Sequence, residues 1–118
     1  MALLLRLKDF TNAPSGRFIS EGGFSGEQFR NDILEPAFLR AKTEGTTLHV
    51  NVDCIGYPSS FFNEAFGGLA RMHNTPLETL WDTIILESER GDADEIISDV
   101  KRYATDEFLR CNIMSGQC

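Results

Sequence analysis

Leu3-Leu4-Leu5-Arg6-Leu7-Lys8 alternates, with Leu3, Leu5 and Leu7 on one side and Leu4, Arg6 and Lys8 on the other. A period of two predicts a strand with one buried face. Turn formers crowd Asn12-Ala13-Pro14-Ser15-Gly16, after which Arg17-Phe18-Ile19 is expected to return as a short second strand, making an N-terminal hairpin. Gly22-Gly23 then punctuates the chain. Ser25 stands three residues before Gln28, the spacing at which a capping side chain and its reciprocal partner satisfy free backbone N–H groups, so a helix is expected to start there. Phe29, Ile33, Ala37 and Ala41 continue at helical spacing, Pro36 should kink or divide the helix, and Gly45 ends it.

Thr47 to Asp53 alternates again, placing Leu48, Val50 and Val52 opposite Thr47, His49, Asn51 and Asp53. From Ser60, the i, i+3, i+4, i+7 positions Phe62, Ala65, Phe66 and Leu69 predict an amphipathic helix to about His73, closed by Asn74-Thr75-Pro76. Thr83 to Glu87 reads as a further strand. Asp92 and Glu95 repeat the capping spacing ahead of Ile96, Val100, Tyr103, Ala104 and Phe108, which predicts a last helix over 92–110 and a fraying tail from Asn112 to Cys118.

Strands alternating with helices imply crossover units, hence an α/β fold with a largely parallel sheet and the N-terminal hairpin as its antiparallel exception. A sheet covered on both faces would have strands apolar on both faces, and two of these strands have polar second faces. The expected architecture is a two-layer mixed sheet with helices on one face. The other face, carrying Thr47, His49, Asn51 and the Arg6 and Lys8 side, is left to water or to a partner.

At 118 residues the chain suits one domain, 1–118, burying roughly two-thirds of its unfolded surface. Its 42% hydrophobic content excludes a disordered tail, and no apolar run is long enough to span a membrane. Arg6 and Lys8 interrupt the apolar opening before it could form a signal-peptide core, so a cytoplasmic protein is expected. The net charge of -7 argues against nucleic acid as a partner. The charge is uneven: residues 1–59 carry 6 positive and 7 negative side chains, residues 60–118 carry 5 and 11. Cys54, Cys111 and Cys118 form no C-x-x-C pair and read as reduced thiols.

Candidate chemistry is sparse. His49 and His73 stand at no ligand spacing to a cysteine or to each other, so neither a metal site nor a cofactor is expected. Cys54 or Asp53 could act in catalysis only beside a base or acid that the sequence does not place, so no enzymatic activity is expected. Gly22-Gly23 with Gly26 lacks the Lys-Ser/Thr of a phosphate-binding loop and reads as a turn. Gly67-Gly68 inside a helix needs a reason, either close packing on the sheet or a flat surface for a partner. The most informative segment is Asp53-Cys54-Ile55-Gly56-Tyr57-Pro58-Ser59-Ser60, which joins the clearest strand to the central helix at a strand's carboxyl end. Its two hydroxyls can act as helix N-caps, or can carry a phosphate favoured by free N–H groups and the helix dipole.

The run Leu48-His49-Val50-Asn51-Val52-Asp53, followed by Ser59-Ser60-Phe61 and Ala65-Phe66-Gly67-Gly68-Leu69, resembles the STAS-like domain family of unknown function, DUF4325, as does Ser25 to Arg30 at the first helix. The likeness covers about residues 17 to 88. It implies a fold similar to anti-sigma factor antagonists, small proteins that bind a GHKL-type ATPase or serine kinase and are switched by phosphorylation of a serine at this helix start. That similarity puts Ser60 at the phosphorylated position with Ser59 beside it. Pro58 stands where the antagonists carry Asp, and Phe61 where they carry Gly. The expectation is a bacterial signalling module that binds a protein partner through Asp53, Gly56, Tyr57, Ser59, Ser60 and Asn63. The alternative is a constitutive scaffold or oligomerisation domain of the same fold, in which the serines only cap.

Overall fold

The computed structural model describes residues 2–11, 14, 16, 20, 23–54 and 59–115, with the side chains of residue 77 and of 107–115 left aside. Its elements run β1 (Leu3–Arg6), α1 (Leu7–Phe10), α2 (Gly26–Phe29), a first π turn (Arg30–Leu34), α3 (Glu35–Glu44) and β2 (Leu48–Asn51). They continue through α4 (Ser59–Phe62), a second π turn (Asn63–Gly67), α5 (Gly68–Met72), α6 (Leu77–Thr83), β3 (Ile84–Glu87) and α7 (Ala93–Ser115). The described strands form a small parallel sheet in the order β1-β2-β3. The expected antiparallel return at 17–19 lies outside the described residues.

Four rows cross the sheet in register: Leu3, Leu48 and Ile84; Leu5, Val50 and Leu86; between them Leu4, His49 and Ile85; and beyond them Arg6, Asn51 and Glu87. The first two rows turn inward, with Leu48, Val50, Ile84 and Leu86 buried, while Leu4, Arg6 and Glu87 are exposed. The alternation in the sequence therefore assigned the faces correctly. It overran β1, because the chain leaves the strand after Arg6 and forms the single helical turn α1. That turn keeps Leu7 buried and carries Phe10 against Phe24 and Phe29.

Ser25 caps α2 as expected: its hydroxyl accepts from the Gln28 N–H at 3.1 Å, and Gln28 Oε1 accepts from the Phe24 N–H at 3.0 Å. The Pro36 expectation needs refining. Pro36 stands at the start of α3 with no N–H to give back to the turn before it. The ladder widens there, and the Glu35 N–H reaches the Arg30 carbonyl, five residues back. The helix is thus divided before Pro36, and the division takes the form of a π turn. Gly45 closes α3 in the left-handed region at φ 66°, as its position suggested.

The central helix starts at Ser59, one residue before the expected start, and runs to Met72 with a π turn of its own. It is buried on more than the predicted face: Phe61, Phe62, Ala65, Phe66, Leu69 and Ala70 are joined by Glu64, Gly67 and Gly68. The helix lies between α7 on one side and α2 with the first π turn on the other. Arg30 and Glu64, one from each π turn, form an ion pair in which side-chain exposure is only 6% and 2%. Arg30 Nη1 also donates to the Glu64 carbonyl at 3.1 Å, and Arg71 Nη2 donates to Glu64 Oε2 at 3.0 Å.

This pair accounts for one glycine, and helix packing for another. A Cβ on Gly68 would overlap the Arg30 guanidinium and crowd Glu64 Oε2, so the residue makes room for the ion pair and not for close packing on the sheet. Gly26, expected in a turn, is the first residue of α2, and a Cβ there would overlap the Phe61 carbonyl of the crossing helix. The sequence reading also missed α6, whose Leu80 and Trp81 pack into or against the core. The last helix is longer than expected, reaching Ser115.

Two stability predictions follow from this packing. Gly26→Ala should cost about 1–3 kcal/mol in urea unfolding, because the obstructing atom is backbone and cannot rotate away. Glu64→Ala should cost about 3–5 kcal/mol by leaving a buried guanidinium unpaired, whereas the double change Arg30→Met with Glu64→Leu should cost clearly less.

Candidate functional site

Asp53 lies just past the end of β2, and its bonding is directed inward. Its N–H donates to Asn51 Oδ1 at 2.9 Å. Its carboxylate accepts from the Ser88 hydroxyl through Oδ1 and from the Glu89 N–H at 2.9 Å through Oδ2. Ser88 Oγ in turn accepts from the Arg90 N–H at 3.2 Å. The carboxylate therefore ties the end of β2 to the loop that leaves β3 for α7, where the neighbouring backbone pair, Val52 N–H to Glu87 carbonyl, already holds the strands at 3.0 Å. Nothing in the sequence separates this role from a surface one, since Ser88 and Glu89 are 35 and 36 residues away.

Gly56 and Tyr57 lie outside the described residues. Ser59 and Ser60 are the first and second residues of α4, so the cap position itself falls on residue 58, which is also outside. Ser59 is exposed and Ser60 half-buried, and neither hydroxyl enters a hydrogen bond among the described residues. Both precede Phe61 and Phe62, whose rings are fully buried, so the helix start is fixed by its own next two side chains. Asn63 is half-buried and donates from Nδ2 to the Tyr103 carbonyl of α7, an internal tie. The structure thus brings Asp53, Ser59, Ser60 and Asn63 to the carboxyl end of β2 and the helix after it, with the two carbonyl-seeking or acceptor side chains engaged within the fold. Cys54 is half-buried against the core.

On the opposite strand face His49 is held at both ring nitrogens. Nδ1 lies 2.8 Å from Glu87 Oε2, and Nε2 lies 3.1 Å from Thr47 Oγ1. A carboxylate can only accept, so Nδ1 carries the proton, and in the neutral ring Nε2 accepts from the threonine hydroxyl. His73 is likewise paired, its Nε2 lying 2.7 Å from Glu35 Oε2. Among the described residues no three His, Cys, Asp or Glu side chains converge to hold a metal. Nor, among them, is any helix long and apolar enough to cross a membrane.

Asp53→Ala should lower stability by about 1–3 kcal/mol, since it leaves the Ser88 hydroxyl and the Glu89 N–H without their acceptor. Hydrogen exchange should locate the effect, with the Glu89 amide losing protection while the β1–β2 ladder keeps its own.

The family model described as a STAS-like domain of unknown function (DUF4325) matches residues 25–91. No curated protein and no solved structure matches the chain. The matched stretch runs from the Ser25 cap through the first π turn, β2, the Ser-Ser helix start, the Arg30–Glu64 pair and β3 to the loop that Asp53 holds. This chain belongs to the STAS-like domain family DUF4325.

Proposed function

We propose that the protein is a cytoplasmic protein-interaction module of bacterial signalling, controlled by phosphorylation at Ser60 or Ser59 and partnered by a GHKL-type ATPase or kinase. It has no catalytic role of its own in this reading. The fold is taken as two-layered, with helices against the Leu48, Val50, Ile84 and Leu86 face of the sheet. The observation that carries the proposal is the state of the two serines: hydroxyls without a hydrogen bond among the described residues, on the first turn of a helix whose next residues, Phe61 and Phe62, are fully buried. The first-turn N–H groups have no intrahelical acceptor, and the dipole favours negative charge there, so a phosphate is stabilised where it forms. A dianion at such a start changes the surface by about -1.5 to -2 charges, enough to repel an acidic or apolar partner face.

A constitutive scaffold is favoured by a different observation. Two of the residues expected to meet a partner, Asp53 and Asn63, make their bonds inside the fold. In that case partner binding would use the same surface without any covalent control.

Intact-mass measurement with phosphosite mapping, on protein isolated from its own cells, separates the two. Phosphate on Ser60 or Ser59 supports switching, and an unmodified chain across growth conditions supports the scaffold. Ser60→Asp should weaken partner binding at least about tenfold by the charge it adds. Ser60→Ala should shift stability by no more than about 0.5 kcal/mol, because its hydroxyl makes no hydrogen bond among the described residues. Unchanged binding by Ser60→Asp would remove Ser60 as the control point.

A further inference from the structure

Among the described strands β1 forms one edge of the sheet. The Leu3 N–H donates to the Thr47 carbonyl at 2.9 Å, so Leu3 and Leu5 direct their backbone groups to β2, while Leu4 and Arg6 direct theirs outward. Arg6 is still extended, at φ -123° and ψ 124°. Among the described residues nothing bonds to this outer side of the strand. A bare strand edge is a template for another strand.

Along that edge, between β1 and the helix over it, runs a groove of about 660 Å³ with apolar walls, Leu3 from the strand and Ile33, Pro36 and Ala37 from the helical side. Leu3, Ile33 and Ala37 pack against the core but are only half-buried, and Pro36 is exposed, so the core is left partly uncovered here. Leu4 is 79% exposed. The groove also carries one charge of each sign, Asp32 and, about two helical turns on, Arg40. Arg40 Nε pairs with Glu44 at 2.7 Å, which leaves the other donors of its fork, and Asp32 has no partner among the described residues.

An added strand has to cover Leu4, continue the apolar walls and answer both charges. A second β1, run antiparallel about a two-fold axis at Leu4, does all three. Leu4 then faces Leu4, a pair that can exchange both backbone hydrogen bonds, Leu3 faces Leu5, and Arg6 faces Ala2, so no like charges stand directly opposite. The two-fold exchanges the ends of the groove and so sets Asp32 of each copy toward Arg40 of the other. A strand of uniform charge would answer one of these groups and be repelled by the other. We propose that the chain self-associates through β1, two copies joining their three described strands into one continuous sheet. No residue of the serine helix start takes part, and the proposal is independent of either reading of that site.

The test is sedimentation equilibrium of the full chain from about 1 to about 100 μM, where a species of twice the 13.2 kDa chain mass is expected. Leu4→Arg puts two cations face to face at the centre of the pairing and should weaken the dimer at least about tenfold. Asp32→Arg and Arg40→Asp each bring like charges together and should each weaken it about threefold or more. An equimolar mixture of these two variants should restore association, since one copy then offers both cations and the other both carboxylates. Thermal unfolding of each variant confirms that it is folded. A wild-type chain that stays monomeric at about 100 μM overturns the proposal and leaves the edge to a strand of another protein. A dimer that Leu4→Arg does not weaken also overturns it, since the contact then lies on another face, as does a mixture no more associated than its two components.

Discussion

The arrangement of helices depends on one buried ion pair. Arg30 and Glu64 meet where two π turns face each other, and the geometry around them follows from that meeting. Gly68 lacks a side chain because the guanidinium occupies the space, and Arg71 reaches back from two turns on to share the same carboxylate oxygen. Among the described residues Arg30 Nε and Glu64 Oε1 are buried without a hydrogen-bond partner, so there the pair is incompletely satisfied. Such a pair adds little net stability over an apolar replacement, but losing one member is costly. Its effect is therefore selective: any packing of the central helix that slides it against the first π turn leaves two charges stranded. The pair pins the register of the two helices where hydrophobic contacts alone would tolerate alternatives.

Around this pin the aromatic side chains form a continuous path. Phe24 meets Phe10, Phe10 meets Phe29, and Phe29 meets Phe61, with ring centroids 5.4 to 5.7 Å apart. The path continues from Phe61 through Phe62 and Phe66 to Trp81 in α6. The path joins α1 and α2 to the central helix and the central helix to α6, while α7 packs on that helix and, among the described residues, adds no ring to it. Phe61 anchors this helix start in the core, so the serine pair sits on a fixed platform.

What the sequence made legible was whatever depends on apolar periodicity. The buried faces of β1 and β2 appear as spacing, because burial of apolar groups is what produces that spacing, and the capped start of α2 and the Gly45 stop appear as local signals beside it. Buried polar groups leave no such trace. Glu64 occupies a position that helical periodicity assigns to solvent, and Asn51 a position on a strand's polar face, yet they are 2% and 7% exposed. The available clue to Glu64 was Gly68, one helical turn on, a small residue at the place where a buried charge needs room. The π turns were illegible for a related reason. Each adds a residue to a turn and so rotates the face that follows, and a helix buried on several sides absorbs that rotation without breaking the apolar pattern. α6 had Leu77, Leu80 and Trp81 at helical spacing, but the run is seven residues long and merges into β3 without a break, so strand and helix signals overlap there.

The strand end shows how little bonding can organise a surface. Asp53 uses its N–H to set the Asn51 amide and its carboxylate to hold Ser88 and Glu89. One residue thereby fixes an amide and the backbone of an acid that line the same depression on the outer sheet face. From Asp53 the chain passes through Cys54, packed against the core, toward the serine pair at the start of α4. A force applied at that helix start would be opposed first by Phe61 and Phe62, and whatever reached Asp53 would be shared between β2 and the β3–α7 loop. A carboxylate that bridges two strand ends transmits a displacement only if both of its acceptor bonds hold. The integrity of the Asp53 clasp is thus the physical condition under which events at the helix start and at the sheet face would affect one another.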